Sequence, residues 1–115
     1  MINITKLLSL MEDATGISPQ AFEINDIDNL PAMSYTIYRA SNDGIKSTWR
    51  LQTRITASTA YEALTLDQQL SSYLTTVGDE TKEEMVIEQN GGGTMREPQL
   101  GLPQVFSYFD ILVKE

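Results

Sequence analysis

IKSTWRLQTRITASTAYEALTLDQQLSSYLTTV, residues 45–77, changes its hydrophobic period once, and that change decides the fold. Side chains alternate faces along a strand, so Ile45, Trp49, Leu51 and Ile55 point one way and Lys46, Arg50 and Arg54 the other. Around Ser58 the period passes to about 3.6, the helical repeat. Thr59-x-x-Glu62 fits a capping box, in which each side chain satisfies a backbone amide at the helix start. Such a cap is worth about 1 kcal/mol and fixes where the helix begins. Ala63, Leu66, Leu70, Tyr73, Leu74 and Val77 then recur along one side, with Leu64 nearby and Gly78 as the expected stop. A long strand and a long helix, each with one apolar surface, can bury each other.

Upstream, MSYTIYRA (33–40) has strand composition and Ser41-Asn42-Asp43-Gly44 reads as a turn. Asp-Gly between two strand-like runs is a strong hairpin signal. A two-residue Asp43-Gly44 loop sets Tyr38 opposite Trp49 and Thr36 opposite Leu51, and a four-residue loop slides the pairing but keeps the faces. Either even-length loop brings Arg39 onto the face of Lys46, Arg50 and Arg54. Half of the eight basic residues then lie between Arg39 and Arg54 with Asp43 as the single acid among them. That polarised face reads as the solvated side of a one-sided sheet, or as a contact for an acidic protein or, less readily, a nucleic acid backbone. Before the hairpin, Ile4, Leu7, Leu8, Met11 and Ala14 have helical spacing over residues 3–15, with Gly16 placed to end the helix. Their stripe packs on the chain's own sheet or serves as a partner interface. Ser18-Pro19 opens an extended connection through NDIDNLP (25–31), where Phe22 and Ile24 are candidates for a short strand. Asp26 and Asp28 lack the glycine and glutamate of a calcium loop and read as solvated carboxylates.

Downstream, GDETKEE (78–84) reads as a turn, and EMVIEQN (84–90) as a short strand with Met85 and Ile87 opposite Val86. Asp79, Glu80 and Lys82 have the residue types of a metal-dependent nuclease core, but in a turn they read as a solvated charge run. NGGGTMREPQLGLPQ (90–104) breaks all periodicity. Its consecutive Gly91, Gly92 and Gly93 predict the most flexible connection in the chain. It lacks the strand-to-helix context of a phosphate-binding loop. Met95, Leu100 and Leu102 are costly to leave in water, so the loop is expected to order against a neighbour, with Arg96 beside them; a floppy hairpin tip is the alternative. The last run, VFSYFDILVK (105–114), is apolar on both faces: Val105, Phe109, Ile111 and Val113 against Phe106, Tyr108 and Leu112. A strand of that kind is covered on both sides, by its own chain or by another subunit. The fold expected is α+β, one domain over residues 1–115: a single mixed or antiparallel sheet of about four strands with two helices on one face, in the order α-β-β-α-β-β.

Composition narrows the chemistry. The 115 residues include no cysteine and no histidine, which excludes disulfides, thiolate or imidazole metal sites and histidine acid–base catalysis. No catalytic residue, cofactor or metal ligand is predicted. A net charge of −8 argues against general polyanion binding. KLLSLM (6–11) runs at once into Glu12 and Asp13, unlike a signal peptide, and no segment reaches the roughly 20 apolar residues that span a bilayer.

LPAMSYTIYR (30–39), with Pro31 ahead of Tyr35, Ile37 and Tyr38, RLQTRITASTAYEAL (50–64) passing from strand into helix, and the final VFSYFDILVKE (105–115) form a succession that resembles the tail terminator proteins of long-tailed bacteriophages and prophages, also termed tail completion or head-to-tail joining proteins. The resemblance covers nearly the whole chain. It rests on the order of apolar patterns and turns, and no residue matches a defined binding site of that family, so roles transfer only as regions. It implies a non-enzymatic virion protein, assembled in the host cytoplasm. The subunit would form a homo-oligomeric ring, a hexamer in that family, at the head-proximal end of the tail tube, contacting tube protein and head connector, with DNA only as passing cargo. Under that implication the interaction candidates are the basic face (Arg39, Lys46, Arg50, Arg54) and the glycine-rich loop (Gly91, Gly92, Gly93, Met95, Arg96, Leu100, Leu102). The alternative is a small non-catalytic adaptor that sets the same basic face on an acidic protein or nucleic acid.

Overall fold

The computed structural model describes residues 2–21, 30–80, 85–96 and 101–114. Asn3 begins α1 (Ile4–Thr15) by accepting the Lys6 amide on its side-chain oxygen at 3.0 Å, and Gly16 ends it in the left-handed region at φ 74°. Both devices satisfy backbone groups that a helix end leaves open. Leu7, Leu10 and Met11 are its buried side chains. After β1 (Pro19–Ala21), β2 (Ala32–Asn42) and β3 (Lys46–Thr56) comes α2 (Ala60–Glu80), then β4 (Val86–Arg96) and β5 (Pro103–Lys114).

The sheet has five strands in the order β1-β2-β3-β5-β4. β1 runs parallel to β2, and every other pairing is antiparallel. The α+β class and the two helices match expectation, while β1 adds a fifth strand. Three residues cannot display an alternating pattern, and β1 takes its conformation from pairing Pro19–Ala21 with Met33, Ser34 and Tyr35. One core unites Leu7 and Met11 of α1 with Leu70 and Leu74 of α2, and with Met33, Leu51, Ile55, Phe109 and Ile111 of the sheet. Both helices therefore cover the same sheet face. The Thr59 hydroxyl accepts the Glu62 amide at 3.2 Å, placing the start of α2 where the capping pattern does.

Three expectations need correction. α2 continues through Gly78 to Glu80, since a glycine inside a helix costs only about 1 kcal/mol against alanine. Asp79 and Glu80 thus lie in its last turn and not in a connecting turn. The hairpin register is also different: Tyr38 lies opposite Arg50 and Thr36 opposite Gln52. Its turn is centred on Gly44 and Ile45, closed by the Asp43 amide on the Lys46 carbonyl at 3.1 Å. The Asp43 carboxylate accepts the amides of Ile45 (3.0 Å) and Lys46 (2.8 Å), which hold its pKa below the ordinary value, Lys46 contributing most. A bulge between Arg39 and Ser41 then shifts the pairing again, and a shift of one residue reverses the face of every side chain beyond it.

The third correction concerns the glycine-rich stretch. Asn90–Arg96 is not a loop but the second half of β4, with Gly92 opposite Ser107, Gly93 opposite Phe106 and Met95 opposite Gln104. Gly91, at φ 113°, carries a bulge between Gln89 and Gly92. A side chain at Gly92 would bring its Cβ within 2.6 Å of the Phe106 carbonyl oxygen, and one at Gly93 within 2.9 Å of the Phe106 ring. The glycines admit close approach of strand and aromatic ring. The expected strand at Phe22 and Ile24, the loop carboxylates Asp26 and Asp28, Lys82 of the charge run and Leu100 lie outside the described residues.

Candidate functional site

The face of the sheet away from the helices carries the even-numbered residues of β3 and their partners. Arg50 faces Tyr38 on one side and Asp110 on the other. Its Nε donates to Asp110 Oδ1 at 3.1 Å and its guanidinium reaches the Tyr38 hydroxyl at 3.4 Å. These contacts, Asp110 foremost, raise the Arg50 pKa further above its ordinary value. The other oxygen of Asp110 accepts from the Asn90 amide at 2.9 Å. Gln52 Nε2 donates to the Tyr108 hydroxyl at 3.4 Å, and Phe106 meets Tyr108 edge-on with centroids 5.7 Å apart.

This geometry redistributes the four cations read as one stripe. Arg50 and Arg54 share the open face, Arg54 lying between Ser34 and Phe106. Lys46 sits at its end, in register with Lys114. Arg39 pairs with Trp49, on the opposite face from Arg50, because the hairpin register places odd-numbered residues there. Arg50 is matched by Asp110, whose position directly across from it the separate strand patterns did not reveal. Within the glycine-rich group, Met95 and Arg96 are exposed and Leu102 is half-buried. Arg96 Nη1 donates to the Gly101 carbonyl at 2.9 Å.

A second feature escaped the sequence reading. Between the first half of α2 and the outer half of β4 and β5 lie two adjoining clefts of about 260 Å³ and 300 Å³. Leu64, Thr94 and Val105 line both; Met95 and Arg96 border one, and Asp67 with Gly92 and Gly93 the other. Asp67 accepts a hydrogen bond from the Ser107 hydroxyl at 2.7 Å. Burial pushes its carboxyl above the ordinary value of 3.8, with the Ser107 bond opposing. The signal was present: Ala63, Asp67, Leu70 and Leu74 have core-facing spacing, so an acid stands in the buried row.

Among the described residues no group of three or more acidic residues is placed to hold a metal ion, and no helix is long and apolar enough to cross a membrane. Each cleft is at or below the low end of the roughly 300–1,000 Å³ usual for small-molecule sites. No family model matches the chain, and no curated protein matches it. Its fold is similar to that of a chain in the virion of a native gene transfer agent (GTA) particle, with a TM-score of 0.64 and 12% identity, covering 91% of this chain and 84% of that one.

Proposed function

We propose that this protein is a structural subunit of a virion, acting as a tail terminator-like ring component that caps the tail tube and meets the head connector. The observation that carries the reading is the agreement of fold over 91% of the chain with a component of a virion particle, joined to the succession of sequence patterns that resembles the tail terminators. The role is one of assembly and involves no reaction. The distribution of surface features supports it. Exposed large apolar side chains fall at the β2–β3 hairpin, Tyr38 and Ile45, and around the start of α2 and the end of β4, Tyr61, Leu64 and Met95. A subunit that closes into a ring has two different contact patches, one for each neighbour.

The adaptor reading has less support. It drew on four cations on one face, of which Arg39 is on the other side and Arg50 is matched by Asp110. The deciding measurement is solution mass by light scattering across protein concentration and salt, alone and with tail-tube protein. A hexamer, or a monomer that gains amide protection in residues 91–96 and 101–102 when tube protein is added, is expected. A strict monomer whose exchange ignores tube protein refutes the proposal. Salt-sensitive nucleic acid binding lost in R50A/R54A would favour the adaptor.

A further inference from the structure

The exposed tip and the cleft between α2 and β4 lie at opposite ends of the sheet. Lys46 is in register with Lys114 and Thr56 with Gln104, so ten residue steps, about 33 Å at strand rise, separate the two ends. The longest dimension of the molecule is 44 Å. Ile45 at the tip is 75% exposed, although it is large and aliphatic. The backbone of the tip is hydrogen-bonded in place, the Asp43 carboxylate accepting the amides of both Ile45 and Lys46. At the other end Leu64 and Met95, 48% and 43% exposed, border a cleft continuous with the one that holds half-buried Asp67. Ser107 is the hydrogen-bond partner of that carboxylate, and among the described residues no cation pairs with it.

We propose that the β2–β3 tip of one copy seats in the α2–β4 cleft of the next, Ile45 between Leu64 and Met95 and Lys46 toward Asp67. An apolar side chain followed directly by a cation meets an apolar cleft with a carboxylate in its wall. Neither end can serve the other within one chain, so the contact is heterologous, the kind that generates rings when the rotation closes. A tip that is already ordered loses little conformational freedom on docking. This contact rests on the ring reading and specifies its interface. Arg96, which borders the cleft, is drawn toward the Gly101 carbonyl.

The chain contains no cysteine, which permits a direct test on the full-length protein. The double variant I45C/M95C, oxidised at a concentration where the protein self-associates, should give a ladder of disulfide-linked species ending at the ring size. I45C mixed with M95C should give the mixed dimer, while either alone should give little. Because Ile45 is exposed, I45E should fold normally and weaken self-association at least about tenfold, the scale of losing one buried aliphatic side chain. Oligomers that persist in I45E, with no 45–95 cross-link, overturn the tip-in-cleft contact while leaving the ring reading intact. Cross-linking of I45C to itself alone also overturns it, since that is a tip-to-tip contact. A protein monomeric throughout, with tube protein as without, overturns both.

Discussion

Replacing Gly92 by alanine separates a paired glycine strand from a flexible loop, because the two arrangements predict opposite signs. In a loop, Gly→Ala removes freedom from the unfolded chain and stabilises by about 0.4–1 kcal/mol. In β4 the new Cβ lies 2.6 Å from the Phe106 carbonyl oxygen and 3.2 Å from Ser107 Cα. Both are backbone atoms of the neighbouring strand, and neither can rotate aside. Overpacking of this kind costs roughly 1–3 kcal/mol. β4 is an edge strand and can yield outward, which holds the cost toward the lower half of that range. Set against the entropic gain, G92A should lose about 1 kcal/mol, or roughly 4–8 °C of melting temperature for a domain near this size. Gly93 is the internal control. Its Cβ would meet the far end of the Phe106 ring at 2.9 Å, and a ring can swing away, so G93A should stay within about 0.5 kcal/mol of wild type. Urea and thermal unfolding of the three proteins read both values. A G92A variant as stable as wild type, or more so, refutes the close strand approach.

Thr59→Ala removes the hydroxyl that accepts the Glu62 amide at 3.2 Å and should lower stability by about 1 kcal/mol at unchanged denaturant slope. Leu51→Ala, at a fully buried position between Ile37 and Phe109, should cost about 2–5 kcal/mol, and a urea-measured loss under about 1 kcal/mol would contradict its place in the core. Asp67→Asn keeps an acceptor for the Ser107 hydroxyl and removes a desolvated charge, so it should equal or exceed wild-type stability at pH 7. The folded-state pKa of Asp67 is raised, so the penalty is full above that value and is relieved as pH falls through it toward 3.8. The advantage of D67N should shrink over the same interval in unfolding titrations; a constant difference across pH would exclude Asp67 as its source.

The strand–helix unit at residues 45–77 was legible because its period, its cap and its apolar rows all agree, and agreement across levels is what specifies a fold. β5 was legible for the same reason. What failed was pairing. The bulge between Arg39 and Ser41 leaves no mark in composition, and it moved Arg39 off the face it was expected to share. β4 failed through the opposite error, a strand hidden by its glycines. Backbone pairing needs no side chain, and the information that makes Gly92 and Gly93 a strand resides in Phe106 and Ser107, about fourteen residues away. Arg50 and Asp110 illustrate the same point for the site. Each was visible in its own segment, and only their register across β3 and β5 turns two charges into an ion pair.

That pairing alters which surface has most to gain from a partner. On the open face Arg50 is satisfied by Asp110, Asp110 by Asn90, Gln52 by Tyr108, and the Phe106 ring by Gly93 and Tyr108. A partner binding there must disrupt contacts already made, and surface ion pairs return little for the desolvation. At the two ends the balance is reversed: Ile45, Leu64 and Met95 gain by burial, and Asp67 gains by meeting a cation. A contact made through the ends therefore costs the free subunit little that it already has. Under the ring reading such contacts run around the circle and leave both broad surfaces, the polar sheet face and the outer sides of the helices, free of neighbouring subunits. The charge of −8 disfavours indiscriminate contact between those surfaces of free subunits.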